Sequence, residues 1–154
     1  MIRLAIMEDH DRIVELGRRY LLMGPYREQI TDNPVQVDRF FQFMLTNPSA
    51  RVLVCEEEGA VAGVFAFIIY PHYYGGDLVA NEIIWCVDEH HRGRASLELL
   101  HTAEHLAFSL GAQRMALSAP TPEVASLYNH LKGYTLVEIG YQAKLCDRGC
   151  HASH

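Results

Sequence analysis

The segment Val79-Ala-Asn-Glu-Ile-Ile-Trp-Cys-Val-Asp-Glu-His-His-Arg-Gly-Arg-Ala-Ser-Leu-Glu-Leu-Leu100, continued to Leu110, reads as a strand, a turn and a helix. Val79 to Val87 is rich in β-branched and aromatic residues, and Asp88 to Gly93 is polar. Beyond the turn, Leu97, Leu100, Ala103, Leu106, Ala107 and Leu110 recur at the spacing of one helical face. The helix therefore starts close to Arg92-Gly93-Arg94. A glycine-bearing turn that feeds a helix leaves backbone N–H groups without intrahelical partners, and the helix dipole adds partial positive charge there. With Arg92 and Arg94 alongside, the turn is a candidate anion site.

The flanking segments extend the alternation of strand and helix. Ile2, Leu4 and Ile6 alternate as a short strand, and Glu8 or Asp9 can cap a helix carrying Ile13, Leu16, Tyr20 and Leu21 on one face. Gly24-Pro25 stops that helix, and Tyr26 to Asn33 is a loop. Pro34 opens a second helix with the stripe Val37, Phe40, Phe41, Met44 and Leu45, ended by Asn47-Pro48. Arg51 to Glu57 and Ala60 to Tyr70 are strands joined by a Glu58-Gly59 turn, and the unbroken apolar run of the second implies burial on both faces. Pro71 to Asp77 turns the chain into the Val79 strand, completing an antiparallel meander. Gly111 caps the helix, Arg114 to Ser118 is a strand, and Thr121-Pro122 opens a helix through Leu131. Thr135 to Leu145 alternates as a last strand. The order β-α-α-β-β-β-α-β-α-β is an α/β fold: a mixed, mostly antiparallel sheet with helices on both faces.

On these residues the chain resembles the GNAT superfamily of acyl-CoA-dependent N-acyltransferases, in which such a turn cradles the pyrophosphate of coenzyme A. The family loop is Gln/Arg-x-x-Gly-x-Gly/Ala. Arg92 fits its first position with Ala95 and Leu97 on the two small positions; a shift by one residue instead puts His91 first, with Arg94 and Ser96 on those positions. Arg92-Gly93-Arg94-Ala95 together with Pro71-His72-Tyr73-Tyr74-Gly75 is similar to a phage-type form of the family. Leu127-Tyr128 to Gly133-Tyr134 resembles the signature Leu-Tyr-x-x-x-Gly-Phe/Tyr, with one extra residue before the glycine. The resemblance covers nearly the whole chain.

The resemblance implies a set of roles. The backbone of Cys86 and Val87 would pair with the pantetheine arm of acetyl-CoA, and Arg92, Gly93, Arg94, Ala95 and Ser96 would take the pyrophosphate; the bland alternative is a solvated basic turn that caps a helix. Tyr128 matches the tyrosine that protonates the departing thiolate, or else it is a helix tyrosine anchored in the core. Glu82 lies on a strand similar to the base-bearing strand of histone-type members. Flanked by apolar residues, its carboxyl would have a pKa raised toward a base's working range; the alternative is a strand glutamate facing water or an internal partner. His90 and His91 read as solvated turn residues.

Bulk properties narrow the partners. At 154 residues the chain is long enough for one domain with a single core, expected over 1–145 with a flexible tail over 146–154. Hydrophobic residues at 49% and charged residues at 21% fit a globular protein, and the net charge of −6 disfavours nucleic acid while favouring a cationic acceptor. The acceptor would be an amine of a small molecule or a protein. Cys55, Cys86, Cys146 and Cys150 are too scattered for a disulfide framework, which fits a cytoplasmic protein. In the tail, Cys146, Cys150, His151 and His154 are spaced too tightly for a zinc module, so no metal is expected. No stretch reaches membrane-spanning length. The apolar strands Val61 to Ile69 and Thr135 to Leu145 would offer an edge for a homodimer, the equal alternative being closure within one chain. The resulting expectation is acetyl transfer from acetyl-CoA to a primary amine by direct attack in a ternary complex; the alternative is a non-catalytic acyl-CoA-binding or sensing domain.

Overall fold

The computed structural model describes residues 1–143 and 145. They fall into two compact units, one built from Met1–Leu21 with Asn33–Ser118 and the other from Leu22–Asp32 with Ala119 onward.

The first unit is a five-stranded sheet of order β1 (Ile2–Leu4), β2 (Ala50–Glu57), β3 (Ala60–Pro71), β4 (Leu78–Val87) and β5 (Arg114–Ala116). The first four strands are antiparallel, and β5 joins β4 in parallel. At the tight turn between β2 and β3, Glu58 and Gly59 have φ of 52° and 79°, the backbone of a hairpin whose twist suits its strands. On one face α1 (His10–Leu21) and α3 (Pro34–Thr46) lay Ile13, Leu16, Phe41 and Met44 against Val52, Val54, Val64, Ala66 and Ile84. On the other, α4 (Arg94–Ser109) buries Leu99, Leu100, Ala103 and Ala107. A Cβ on Gly63 would come within 3.3 Å of Leu99 and 2.9 Å of Val87, so the glycine lets α4 approach β3 closely. Helices thus cover both faces, as the pattern of residues predicts.

Helix starts follow local chemistry. Pro34 stands in the first turn of α3, where Asn33 accepts the Gln36 N–H at 3.2 Å. Gly17 on α1 faces Phe41 on α3, and an added Cβ would lie 2.4 Å from the ring. The glycine sets the spacing of the two helices.

The second unit holds α2 (Tyr26–Gln29), one turn within the segment expected to be loop, and α5 (Pro122–Tyr128), which Thr121 caps by accepting the Val124 N–H at 3.3 Å. Helix α5 stops short of the predicted Leu131.

Three sequence expectations are corrected. Residues 135–143 form no strand, and Leu136, Val137, Ile139 and Tyr141 are exposed. Alternation marks a segment able to be a strand, but a strand forms only where a neighbour takes its backbone groups. The Val61 to Ile69 run lies within β3, between β2 and β4, and is no edge; the sheet's outer strands are β1 and β5. On α4, Leu97 is 45% exposed and Leu99 is fully buried, so the core face of the helix is rotated from the predicted stripe. Cys146, Cys150, His151 and His154 lie outside the described residues.

Candidate active site

The site begins where β5 leaves β4. Val79, Ala80 and Asn81 pair with Arg114, Met115 and Ala116, and there the ladder ends, while β4 runs on to Val87. Beyond Asn81 the side of β4 turned away from β3 has no strand beside it among the described residues, leaving an edge on which an amide-bearing chain could pair.

Glu82 sits at this fork. The register with β3 shifts there: Ala66 faces Ile84 but Phe67 faces Glu82, so Ile83 is an extra residue on β4. Simple alternation would put Glu82 on the face of Ile84; the bulge turns it to the face shared by Phe65, Phe67 and Trp85. Glu82 is buried, 4% exposed, and its carboxylate accepts the backbone N–H of Ser118 at 3.0 Å. Burial pushes its pKa up to about 7, with the Ser118 hydrogen bond pulling the other way. A carboxyl so placed exchanges a proton near neutral pH, as a general base must.

At the far end of β4 the chain makes a 3₁₀ turn, Glu89–His91, and enters α4 at Arg94. Gly93, at the N-cap, has φ of 94° and ψ of −106°, a conformation strained for any residue with a Cβ. No side chain caps α4. Its first-turn N–H groups are left for solvent or an anion. Arg92 donates from Nε to the Val87 carbonyl at 3.2 Å, while Arg94 points to Glu98 at 2.6 Å on an exposed surface. A cleft of about 460 Å³ runs past His90, His91, Arg92, Arg94 and Ala95, with Glu57 and Glu98 also in its wall. The His91 Nδ1 atom is buried with no hydrogen-bond partner among the described residues. An uncapped helix start beside Arg92 and Arg94 is suited to an anion such as a pyrophosphate.

The first unit therefore brings Glu82, Cys86, Val87 and Arg92 to Ser96 onto one strand-turn-helix, and an observed bond already links Arg92 to Val87. Burial pushes the Cys86 thiol up, with Arg92 partly opposing, which is unsuited to a thiolate nucleophile. Tyr128 ends α5 in the second unit, partly buried. Two participants escaped the sequence reading. Ser118 contributes only a backbone N–H, which no residue type announces. Asp88 carries a set of ion pairs with Arg12 and Arg19, whose trace in the sequence was the charge spacing Arg12, Glu15, Arg19 along α1.

Taken together, a mixed sheet that opens beside β4 and a glycine-bearing turn that leads from that strand into an uncapped helix define the class, an α/β domain of mostly antiparallel sheet. A family model for the GNAT acetyltransferases matches residues 17–134, and the chain belongs to that family, whose members generally use acetyl-CoA. No curated protein sequence matches it. Among solved structures it is similar to ribosomal-protein-alanine N-acetyltransferase from Brucella melitensis biovar Abortus 2308, at 18% identity over 94% of this chain and 98% of that one, with a TM-score of 0.71. Glucosamine-6-phosphate N-acetyltransferase from Arabidopsis thaliana is 17% identical over 92% and 97% of the two chains, with a TM-score of 0.67. A transcriptional regulator from Bacillus halodurans C-125 is 18% identical over 94% and 99%, with a TM-score of 0.74. At such identities the likeness is one of fold. Among the described residues no helix is long and apolar enough to cross a membrane.

Proposed function

We propose that this chain transfers an acetyl group from acetyl-CoA to a primary amine by direct attack, with Glu82 as the general base. The observation that carries the reading is Glu82 itself: a buried carboxyl with its pKa raised to about 7, at the fork between β4 and β5, on the strand that leads into the anion turn. The edge of β4 at Cys86 and Val87, beyond the end of the β5 ladder, suits the pantetheine amides, and the turn from Arg92 to Ser96 suits the pyrophosphate. Glu82 takes one proton from the arriving ammonium and passes it to solvent. The freed amine nitrogen then bonds to the thioester carbonyl carbon, and the carbon–sulfur bond breaks. Tyr128 protonates the thiolate and is reprotonated by the second proton that the amine sheds. Positioning and proton transfer together are the chemistry required.

The test is an amine panel with acetyl-CoA, read by release of free CoA thiol. Turnover with at least one amine is expected. CoA binding without release from any amine would replace this reading with an acyl-CoA-binding domain, and absence of CoA binding would remove both.

A further inference from the structure

Four charged side chains close a ring around the start of the anion turn. Asp88 Oδ2 accepts from Arg12 Nη2, and its Oδ1 accepts from Arg19 Nη1 at 2.9 Å. Glu15 completes the circuit, taking Arg12 Nη1 at 2.6 Å on one oxygen and Arg19 Nη2 on the other. Two guanidinium groups and two carboxylates thus alternate, each bonded to two opposite charges. The backbone is drawn in as well. Arg12 Nε donates to the Val61 carbonyl at 3.0 Å, Asp88 N–H donates to Ala62 at 2.7 Å, and the Asp88 carbonyl accepts the His91 N–H at 2.9 Å.

A single exposed ion pair contributes only about 0 to 1 kcal/mol and would explain little. This arrangement differs in being closed, in having Asp88 only 21% exposed, and in joining α1, the start of β3 and the end of β4 at one point. Asp88 is also the residue from which the Glu89–His91 turn departs toward Gly93. Fixing it fixes where the N–H groups that follow are aimed, and ordering a loop before its ligand arrives reduces the cost of binding. Bulk stability already has the core helices Leu16 and Phe41 belong to; the ring's distinctive position is beside the turn.

We propose that Asp88 is a positioning residue: locked by Arg12 and Arg19, it pre-orders the 89–96 turn for the pyrophosphate of coenzyme A. This rests on the acetyl-CoA reading above. Positioning and simple charge make opposite predictions for Asp88→Asn. Removing a negative charge next to an anion site should tighten anion binding, whereas releasing the turn should weaken it.

The experiment measures CoA and pantetheine dissociation constants by calorimetry for the unmodified chain, Asp88→Asn and Arg19→Gln, with amide hydrogen exchange over 89–96 in the ligand-free proteins. Arg19→Gln opens the ring at its more exposed corner, so it reports even if Asp88→Asn folds poorly. The proposal expects faster exchange in the turn, CoA binding weakened on the order of tenfold in both variants, and pantetheine binding unchanged. Unchanged or tighter CoA binding in Asp88→Asn, equal weakening toward pantetheine, or unaltered exchange overturns it. If the unmodified chain binds no CoA, the proposed function falls, and the exchange comparison still decides whether Asp88 orders the turn.

Discussion

The Glu82 carboxylate accepts the backbone N–H of Ser118 across a gap of 3.0 Å, at the point where β5 separates from β4. This bond gives the buried carboxylate one partner without neutralising it. The group is left titrating near pH 7. In the unfolded chain an ordinary glutamate ionises near pH 4.3, so between there and about 7 the folded state holds a proton that the unfolded state has lost. Stability falls as pH rises across that window.

Glu82→Gln is therefore expected to have two effects. In denaturant titrations it should match the unmodified chain near pH 4 and exceed it above pH 7, by roughly 4 kcal/mol at most. In turnover assays it should lose most activity, together with the rise in rate around pH 7. A variant that retains the unmodified pH–rate profile would show that Glu82 is not the base.

Gly93→Ala should disturb the turn without touching the core. Its φ of 94° disfavours a Cβ although the space around it is open. The expected cost is about 1 kcal/mol or somewhat more, with a larger relative loss of CoA affinity because the α4 N–H groups are re-aimed. Calorimetric titration with CoA, set beside a melting curve, checks this; equal affinity would mean the turn adapts.

Tyr128→Phe is expected to lower turnover by about 10² to 10⁴-fold, the usual contribution of a general acid, with little change in CoA affinity. Full activity with a good acceptor would assign Tyr128 to packing and the proton to water.

Gly17→Ala tests the packing of α1 on α3. The added methyl would meet the Phe41 ring at 2.4 Å, and Phe41 is only 3% exposed, with little room to move. Overpacking of this kind costs about 1–3 kcal/mol. A shift in the denaturation midpoint measures it, and no shift would mean that the Phe41 ring has room to yield.

His10 supplies a second pH dependence. Burial works against its charged form, but hydrogen bonds and charge from Asp38 and Asp11 outweigh it, and its pKa is raised. Its contribution is complete below the ordinary histidine pKa of about 6.5 and is lost as pH rises through the folded-state value. His10→Gln should flatten the stability profile over that interval while leaving the alkaline end unchanged. An identical slope in the variant would assign the pH dependence elsewhere.

The strand-turn-helix from Val79 to Leu110, the Glu58-Gly59 hairpin and the Asn33-Pro34 and Thr121-Pro122 helix starts were all legible in the sequence. Each depends on neighbours a few residues apart: side-chain period, a glycine at positive φ, a proline at a helix start. Such information is local, and one chain contains it. The glycine-bearing turn into α4 was legible for the same reason, and so was Glu82 as a polar residue within an apolar strand.

What remained was decided between distant segments. Which face Glu82 adopts depends on the extra residue Ile83 opposite β3, and register is a property of two strands. Leu99 replaces Leu97 in the core because the sheet, rather than the helix, chooses which side of α4 is covered. The alternating residues after Thr135 form no strand in 135–143 because alternation cannot supply the neighbour that a ladder needs. Arg19 and Asp88, 69 residues apart, meet only when α1 packs beside the end of β4. Short-range pattern specified the elements; long-range packing determined which side chains they brought together.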